Sequence, residues 1–257
     1  MGIHILEPIK KGQKVMEKAK ILPMDDLEQL KSSFTVTEEV ILKRRSVRLY
    51  KKKQVPEFMI KRILEAGRFA PSAGNCQPWK FVVVRDPEII QGITETTVKT
   101  AKIFKALIDY RQPGKRWKKP IANFLIRMKP NDMHPTPFGA VTLLADGKLS
   151  LYHGAPTVIL LFKDVRGIGS PDLDCGIAGQ NLVLAAHSMG LGTCWVSFAK
   201  LAFEYTNKWK KYFNITYPYK FLTSFSVGWP ANNPDGMVAR QTHAIDWYEN
   251  GQKQVIY

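Results

Sequence analysis

The stretch from Cys175 to Met189 is apolar around nearly its whole circumference and runs for about four helical turns, too long for a strand. A helix with no face to give to water has to be buried, so the chain must supply packing partners on more than one side of it. Asp172 or Asp174 is placed to cap its start, and Gly190 ends it. Gly176 and Gly179 inside it each cost stability unless something packs close, and another helix or a partner subunit is the expected neighbour.

Around this helix the chain alternates two kinds of pattern. Phe81–Val84, bounded by Pro78 and Asp86-Pro87, is a short β-branched run that reads as a buried strand. Residues 157–162, introduced by Gly154-Ala155-Pro156, form a second, Cys194–Phe198 a third, and Phe221–Val227 a fourth with alternating polarity. Thr35-Val36-Thr37-Glu38 has capping-box spacing and opens a helix predicted to carry Val40 and Ile41 inward before delivering Arg44 to Arg48 at its exit. Pro56 suits the first position of another helix, whose Ile60, Ile63, Leu64, Gly67 and Ala70 keep helical spacing until Pro71 stops it. Interleaved helices and strands place the chain in the α/β or α+β class, with strand direction left open.

At 257 residues one domain is expected over 37–257, preceded by a basic, weakly patterned extension over 1–36 that Pro8, Gly12 and Pro23 interrupt. From about 100 to 150, helical fragments alternate with Pro-rich and basic runs. This excursion reads as a lid over a pocket in preference to a basic amphipathic segment lying on a membrane. No apolar run is long enough to span a bilayer, and the N-terminus carries neither a signal peptide nor the Ser or Thr of a myristoylation signal, so a cytoplasmic protein is expected.

Cys76, Cys175 and Cys194 are too few and too scattered for a disulfide framework or an iron-sulfur or zinc site. The five histidines include no pair at metal-ligand spacing, and no metal is expected. Small buried cysteine accounts for Cys76 and Cys194 without a catalytic role. The excess of 38 Lys and Arg over 22 Asp and Glu, a net +16, steers phosphorylated molecules or simply keeps the surface soluble. It comes with no nucleic-acid-binding motif, and neither nucleic acid nor membrane is an expected partner.

Two segments carry the chemistry. Arg44-Arg45-Ser46-Val47-Arg48 brings three guanidiniums and a hydroxyl within about one helical turn, a charge density suited to phosphate. Taken alone, arginines at a helix end are equally a solvated face that offsets the helix dipole. The second segment, Ala70-Pro71-Ser72-Ala73-Gly74-Asn75-Cys76-Gln77-Pro78-Trp79, is a small polar helix-to-strand loop over which a planar ligand can approach the backbone. Its composition is also that of any turn, and Trp79 reads as core. Together the two segments suit a phosphorylated ring.

These two segments, followed in order by Gly176-Ile177-Ala178-Gly179-Gln180-Asn181 and Gly190-Leu191-Gly192-Thr193-Cys194-Trp195, resemble the FMN-dependent nitroreductase family over about residues 37–100 and 150–245. The resemblance implies an α+β sandwich with a mainly antiparallel sheet flanked by helices, in an intertwined homodimer with two FMN molecules at its interface. It implies that Arg44, Ser46 and Arg48 hold the phosphate and ribityl chain, and that Arg45 contributes through backbone or charge. Pro71, Ser72, Ala73 and Asn75 would face the flavin ring from the other subunit, with Gln77 in support. Trp195, Val196 and Ser197 would bring backbone donors toward ring N5 and O4, and Arg240 would close on the phosphate. Ser197 stands where several relatives have Glu or Thr, so the backbone is the expected contributor there. NADH or NADPH would reduce the flavin, which then passes hydride to a small-molecule acceptor such as a nitroaromatic, quinone or enone by a ping-pong route. Reductive dehalogenation, flavin fragmentation and heterocycle dehydrogenation are alternative reactions on the same fold.

Overall fold

A computed structural model describes residues 34–109, 114–128, 135–232 and 244–256. The extension expected over 1–36 therefore lies almost wholly outside the described residues. The chain divides into two compact units, Val40–Pro234 and a second formed by Met1–Glu39 with Asp235–Tyr257.

In the larger unit β1 (Trp79–Val84), β2 (Thr157–Asp164), β3 (Gly192–Val196) and β4 (Tyr219–Gly228) form one sheet in the order β1-β2-β4-β3. Every neighbouring pair is antiparallel. Helices cover both faces, which resolves the open class as α+β. The central strand β2 shows why its sequence is continuously apolar: Val158, Leu160 and Phe162 point to one helical layer, and Ile159 and Leu161 to the other. A strand dry on both faces has no polar positions to alternate with.

The first layer holds α3 (Pro87–Ile108), α5 (Pro135–Ala145), α7 (Lys200–Glu204) and α8 (Lys208–Tyr212). Asp86 caps α3, accepting from the backbone of Glu88 at 2.8 Å and of Ile89 at 3.3 Å, with Pro87 following as a helix-starting proline. Ile93 and Ala101 of α3 and Leu144 of α5 are fully buried, so both ends of the region between β1 and β2 are built into the core. The lid reading is left with α4 (Lys119–Met128) and the 3-10 turn Arg116–Lys118 before it.

The second layer pairs α2 (Glu57–Arg68) with α6 (Pro171–Ser188), the apolar helix with which the sequence analysis began. They meet closely: a Cβ on Gly67 would lie 3.3 Å from the carbonyl oxygen of Ala178, and Asn181 donates to the carbonyl of Ala66 at 3.3 Å. The cap of α6 is Ser170, which accepts from Leu173 N, in place of either expected aspartate. Gly179 has no helix against it. A Cβ there would meet the rings of Trp195 at 2.5 Å and Phe225 at 2.8 Å, so the glycine makes room for the sheet. Gly176 has nothing within 4 Å, and Leu173 beside it is 63% exposed, so one side of α6 is open in the single chain. Apolar patterning read this helix as buried all round, and one chain buries only part of it.

The polar alternation of β4 does not mark a solvated face. Ser224 and Ser226 are fully buried, their hydroxyls donating to the carbonyls of Val196 at 2.6 Å and Cys194 at 3.4 Å. In the smaller unit, β5 (Ile245–Glu249) and β6 (Gln252–Ile256) form an antiparallel hairpin. Asn250 and Gly251 turn it with φ of 51° and 74°, as a two-residue primed turn requires.

Candidate active site

The capping box is real: Thr35 Oγ1 accepts from Glu38 N at 3.3 Å, and the Glu38 carboxylate accepts from Thr35 N at 2.7 Å. These bonds, Thr35 Oγ1's own donation first among them, hold the Glu38 carboxyl below its ordinary value. The helix they open, α1 (Val36–Lys43), has no buried residue, so Val40 and Ile41 do not turn inward as expected. It also stops at Lys43. Arg44 to Arg48 continue as extended chain instead of a helical turn, and that places them against the sheet.

The extended segment docks on the outer edge of β3. Ser46 pairs with Thr193, and Val47 N donates to the Thr193 carbonyl at 2.9 Å. The fit is tight: a Cβ on Gly192 would stand 2.7–2.9 Å from three atoms of Val47. Further along, Lys51 N donates to the Trp229 carbonyl at 2.9 Å, and the buried Tyr50 hydroxyl donates to the Val47 carbonyl at 2.7 Å and lies 2.8 Å from Ser226 Oγ. Burial pushes the Tyr50 hydroxyl well above its usual range, so it stays a neutral donor. These tethers fix the run that carries Arg44, Ser46 and Arg48.

The arginines then separate in role. Arg45 turns back on its own helix, donating to the carbonyls of Leu42 at 2.6 Å and Arg44 at 2.9 Å, where it meets the negative end of the helix dipole. Arg48 hydrogen-bonds to Cys194 and acts through its charge on His153, and Arg44 acts through its charge on Cys194 and His187. Burial is the main reason both histidines sit below their ordinary value. Arg48 adds to the effect on His153, and Arg44, Arg45 and Lys43 to that on His187. Cys194 is pushed up by burial against the opposing pull of the same arginines. Among the described residues, the charged neighbours acting on these three groups are cations, which gives this end of β3 a positive field.

Because Thr193 turns its carbonyl outward to Val47, the two-residue alternation turns the backbone of Trp195 toward the same open edge. Its N–H is therefore a donor facing outward, one strand step beyond the arginine segment. Val196 is buried and pairs inward with β4, and Ser197 starts the turn into α7, its carbonyl accepting from Lys200 N at 3.0 Å. The Trp195 ring lies over Gly179 and against Phe225, centroids 4.5 Å apart.

The second predicted segment lies elsewhere. Residues 71–77 form a short 3-10 turn over Ala73–Asn75, with Gly74, Asn75 and Gln77 all in the left-handed region at φ of 58°, 54° and 47°. Ser72 Oγ accepts from Gln77 N at 3.0 Å, and the Gln77 amide donates to the Asn75 side chain at 3.0 Å, so Gln77 does brace Asn75. The loop is anchored by Asp174, a carboxylate only 5% exposed at the start of α6 that accepts from Ala73 N at 3.3 Å. The arginines adjoin His187 at the other end of the same helix. Thirteen residues at 1.5 Å each put the two segments about 20 Å apart within one chain.

Among the cysteines, Cys194 and Cys175 are buried, but Cys76, taken as buried in the sequence analysis, is exposed on the loop. Cys175 is pushed up to about 12 by burial, with Asp172 and Asp174 adding to it. Arg240 lies outside the described residues. Sequence reasoning missed Asp174 as the anchor of the loop and Tyr50 and His153 as neighbours of the arginine segment. Only the Asp174 role had a signal, as a carboxylate in an otherwise apolar helix.

A family model described as "Nitroreductase family" matches residues 41–229, well over half of the chain and both segments of the site. The chain belongs to the nitroreductase family. This makes it an FMN-dependent oxidoreductase by family. A Methanothermobacter thermautotrophicus protein provisionally named NADH dehydrogenase/NAD(P)H nitroreductase is 29% identical over 84% of this chain and 82% of its own length. Iodotyrosine deiodinase 1 of Sus scrofa is 27% identical over 75% of this chain and 61% of its own. Among solved structures, a nitroreductase with bound FMN from Desulfitobacterium hafniense superposes with a TM-score of 0.60 at 22% identity, covering 80% of this chain and 94% of that one. At that identity the likeness speaks for the nitroreductase fold.

Proposed function

We propose that this nitroreductase-family protein is a homodimeric FMN enzyme that takes electrons from NADH or NADPH and delivers them to a small oxidised acceptor, with each site assembled from two subunits. The observation that carries the reading is the separation of the two site segments. They lie about 20 Å apart at opposite ends of α6, the spacing of two separate half-sites on one chain. The open side of α6, with Gly176 and Leu173, supports a second copy packing there.

FMN fits the residues present. Arg44, Ser46 and Arg48 are a phosphate-binding set on a tethered backbone in a field of cations. Arg45 contributes by fixing the end of α1. The outward N–H of Trp195 is the donor for the ring edge, while Val196 and Ser197 hold that edge in place through Ser224 and α7. The loop Pro71, Ser72, Ala73 and Asn75, braced by Gln77 and Asp174, covers the ring of the partner's flavin. Arg240 is assigned to the phosphate by its place in the sequence. Bound FMN supplies hydride acceptance and donation at N5. The chain's own part is to bind the phosphate, orient the ring and exclude water from it.

The test is anaerobic: purified protein is titrated with FMN and then with each nicotinamide, reading flavin absorbance. Bleaching by NADH or NADPH and recovery on adding a quinone or nitroaromatic is the expected outcome. Failure to bind FMN overturns the reading. The deiodinase relatives favour a second reaction, reductive dehalogenation, and a halogenated phenol in the same acceptor panel tests it.

A further inference from the structure

Between Lys99 and Lys129 the sequence holds ten lysine or arginine residues and a single acidic residue, Asp109. That is a net +9 within 31 residues, more than half of the whole chain's +16. The flavin reading uses none of it. In the described part of this stretch, large apolar side chains lie on the surface among the charges. Ile103 is 52% exposed, Leu107 56%, Trp117 65% and Phe124 62%.

Three of these side chains lie on one helix or are tied to its end. Ile103 and Leu107 are one turn apart on α3 and share a face. The 3-10 turn that carries Trp117 is fastened to the same end of α3, because Lys118 Nζ donates to the carbonyl of Ala106 at 2.5 Å while lying 5.4 Å from the Trp117 ring centre. Helix α4 follows at once. Its Ala122 is fully buried and Phe124 is not, so the helix is seated by one side and shows an aromatic on the other.

We propose that this surface docks on the headgroup layer of an anionic phospholipid bilayer. Basic side chains around Trp, Phe and Leu are what an interfacial helix needs: cations attract the anionic surface, and the apolar groups enter the boundary beneath it. The charge is complementary to such a surface, and the patch laid against its own copy at a two-fold axis would set like charge against like. Exposed Ile103 and Leu107 favour lipid over nucleic acid, since aliphatic side chains neither stack on bases nor pair with phosphates. No helix among the described residues is long and apolar enough to cross a membrane, so the attachment is peripheral. The surface lies on α3 and α4, whereas the arginine segment lies on β3.

The experiment is co-sedimentation of the full-length protein with vesicles of phosphatidylcholine alone and of phosphatidylcholine mixed with phosphatidylglycerol. Binding is expected to the anionic vesicles only and to fall steeply as salt rises. W117A/F124A and, separately, R116E/K119E are each expected to weaken it by about tenfold or more while leaving the melting temperature unchanged. Equal binding to neutral vesicles, no binding at all, or folded variants that bind like the wild type overturns the proposal. Salt-sensitive retention of RNA without vesicle binding also overturns it and makes the partner a nucleic acid.

Discussion

The arginine segment 44–50 and the loop 71–77 are both short, irregular and rich in polar atoms, yet they are held in opposite ways. The first is pinned to the sheet by long-range hydrogen bonds to Thr193, Trp229 and Ser226, and by the closeness of Val47 to Gly192. The second is shaped mostly by bonds within itself, with Asp174 as its long-range tether. A phosphate clamp benefits from preorganisation, because guanidiniums already in place lose little freedom on binding. A loop over the reacting face of a ring has to admit two different substrates in turn. In the proposed dimer one segment serves as a fixed anchor and the other as an adjustable cover.

The largest effect expected from this contrast is on mixed dimers. R48A should weaken FMN binding by about 10–100-fold, the value of a charge-assisted phosphate contact, and N75A should slow turnover with FMN still bound. When the two variants are unfolded and refolded together, a hybrid dimer has one site with both defects and one with neither. Recovered activity in the mixture, measured against each variant alone, sharpens the comparison. No recovery would place both segments at the same flavin from the same chain.

The glycines of α6 offer a smaller and more local test. G179A drives a Cβ into Trp195 and Phe225 and should cost about 1–3 kcal/mol in denaturant unfolding. G176A meets nothing within 4 Å in the single chain, where alanine should stabilise a helix by about 0.5–1 kcal/mol. If the partner subunit packs on that side, the sign reverses and sedimentation shows a weakened dimer. A stabilised dimer after G176A would move the interface away from this face of α6.

The smallest effect is on pH. His187 and His153 are held below the ordinary 6.5, first by burial and then by the arginines beside them. A histidine kept neutral in the fold takes up a proton on unfolding, so the stability it supports is present above its ordinary value and shrinks as pH falls below it. The melting temperature should therefore fall as pH drops from about 7 toward 5.5. Bound FMN phosphate offsets the guanidinium field and should narrow that fall. A drop unaffected by FMN would separate the phosphate from Arg44 and Arg48.

Much of the fold was legible in the residues themselves. Asp86-Pro87 starts α3, Gly190 ends α6 with its φ of 76°, and the apolar runs at 81–84 and 157–162 are β1 and β2 with their ends extended. Asn250-Gly251 between two polar-aromatic runs is a hairpin signal that the sequence reading passed over. What patterning could not supply was contact across the chain. Gly179 was read as room for a helix and is room for two aromatic rings, a distinction that depends on where β3 and β4 lie.

By itself the sequence determined many of the local elements, the order of the motifs and the charge of the arginine segment, because each follows from residues near in sequence. Only the tertiary structure decided that Arg44 to Arg48 leave their helix and line the edge of β3, that Arg45 turns away from the others, and that the companion loop sits at the far end of α6. The first and last of these rest on hydrogen bonds and packing between residues more than a hundred positions apart, and no periodicity in a sequence encodes such a distance.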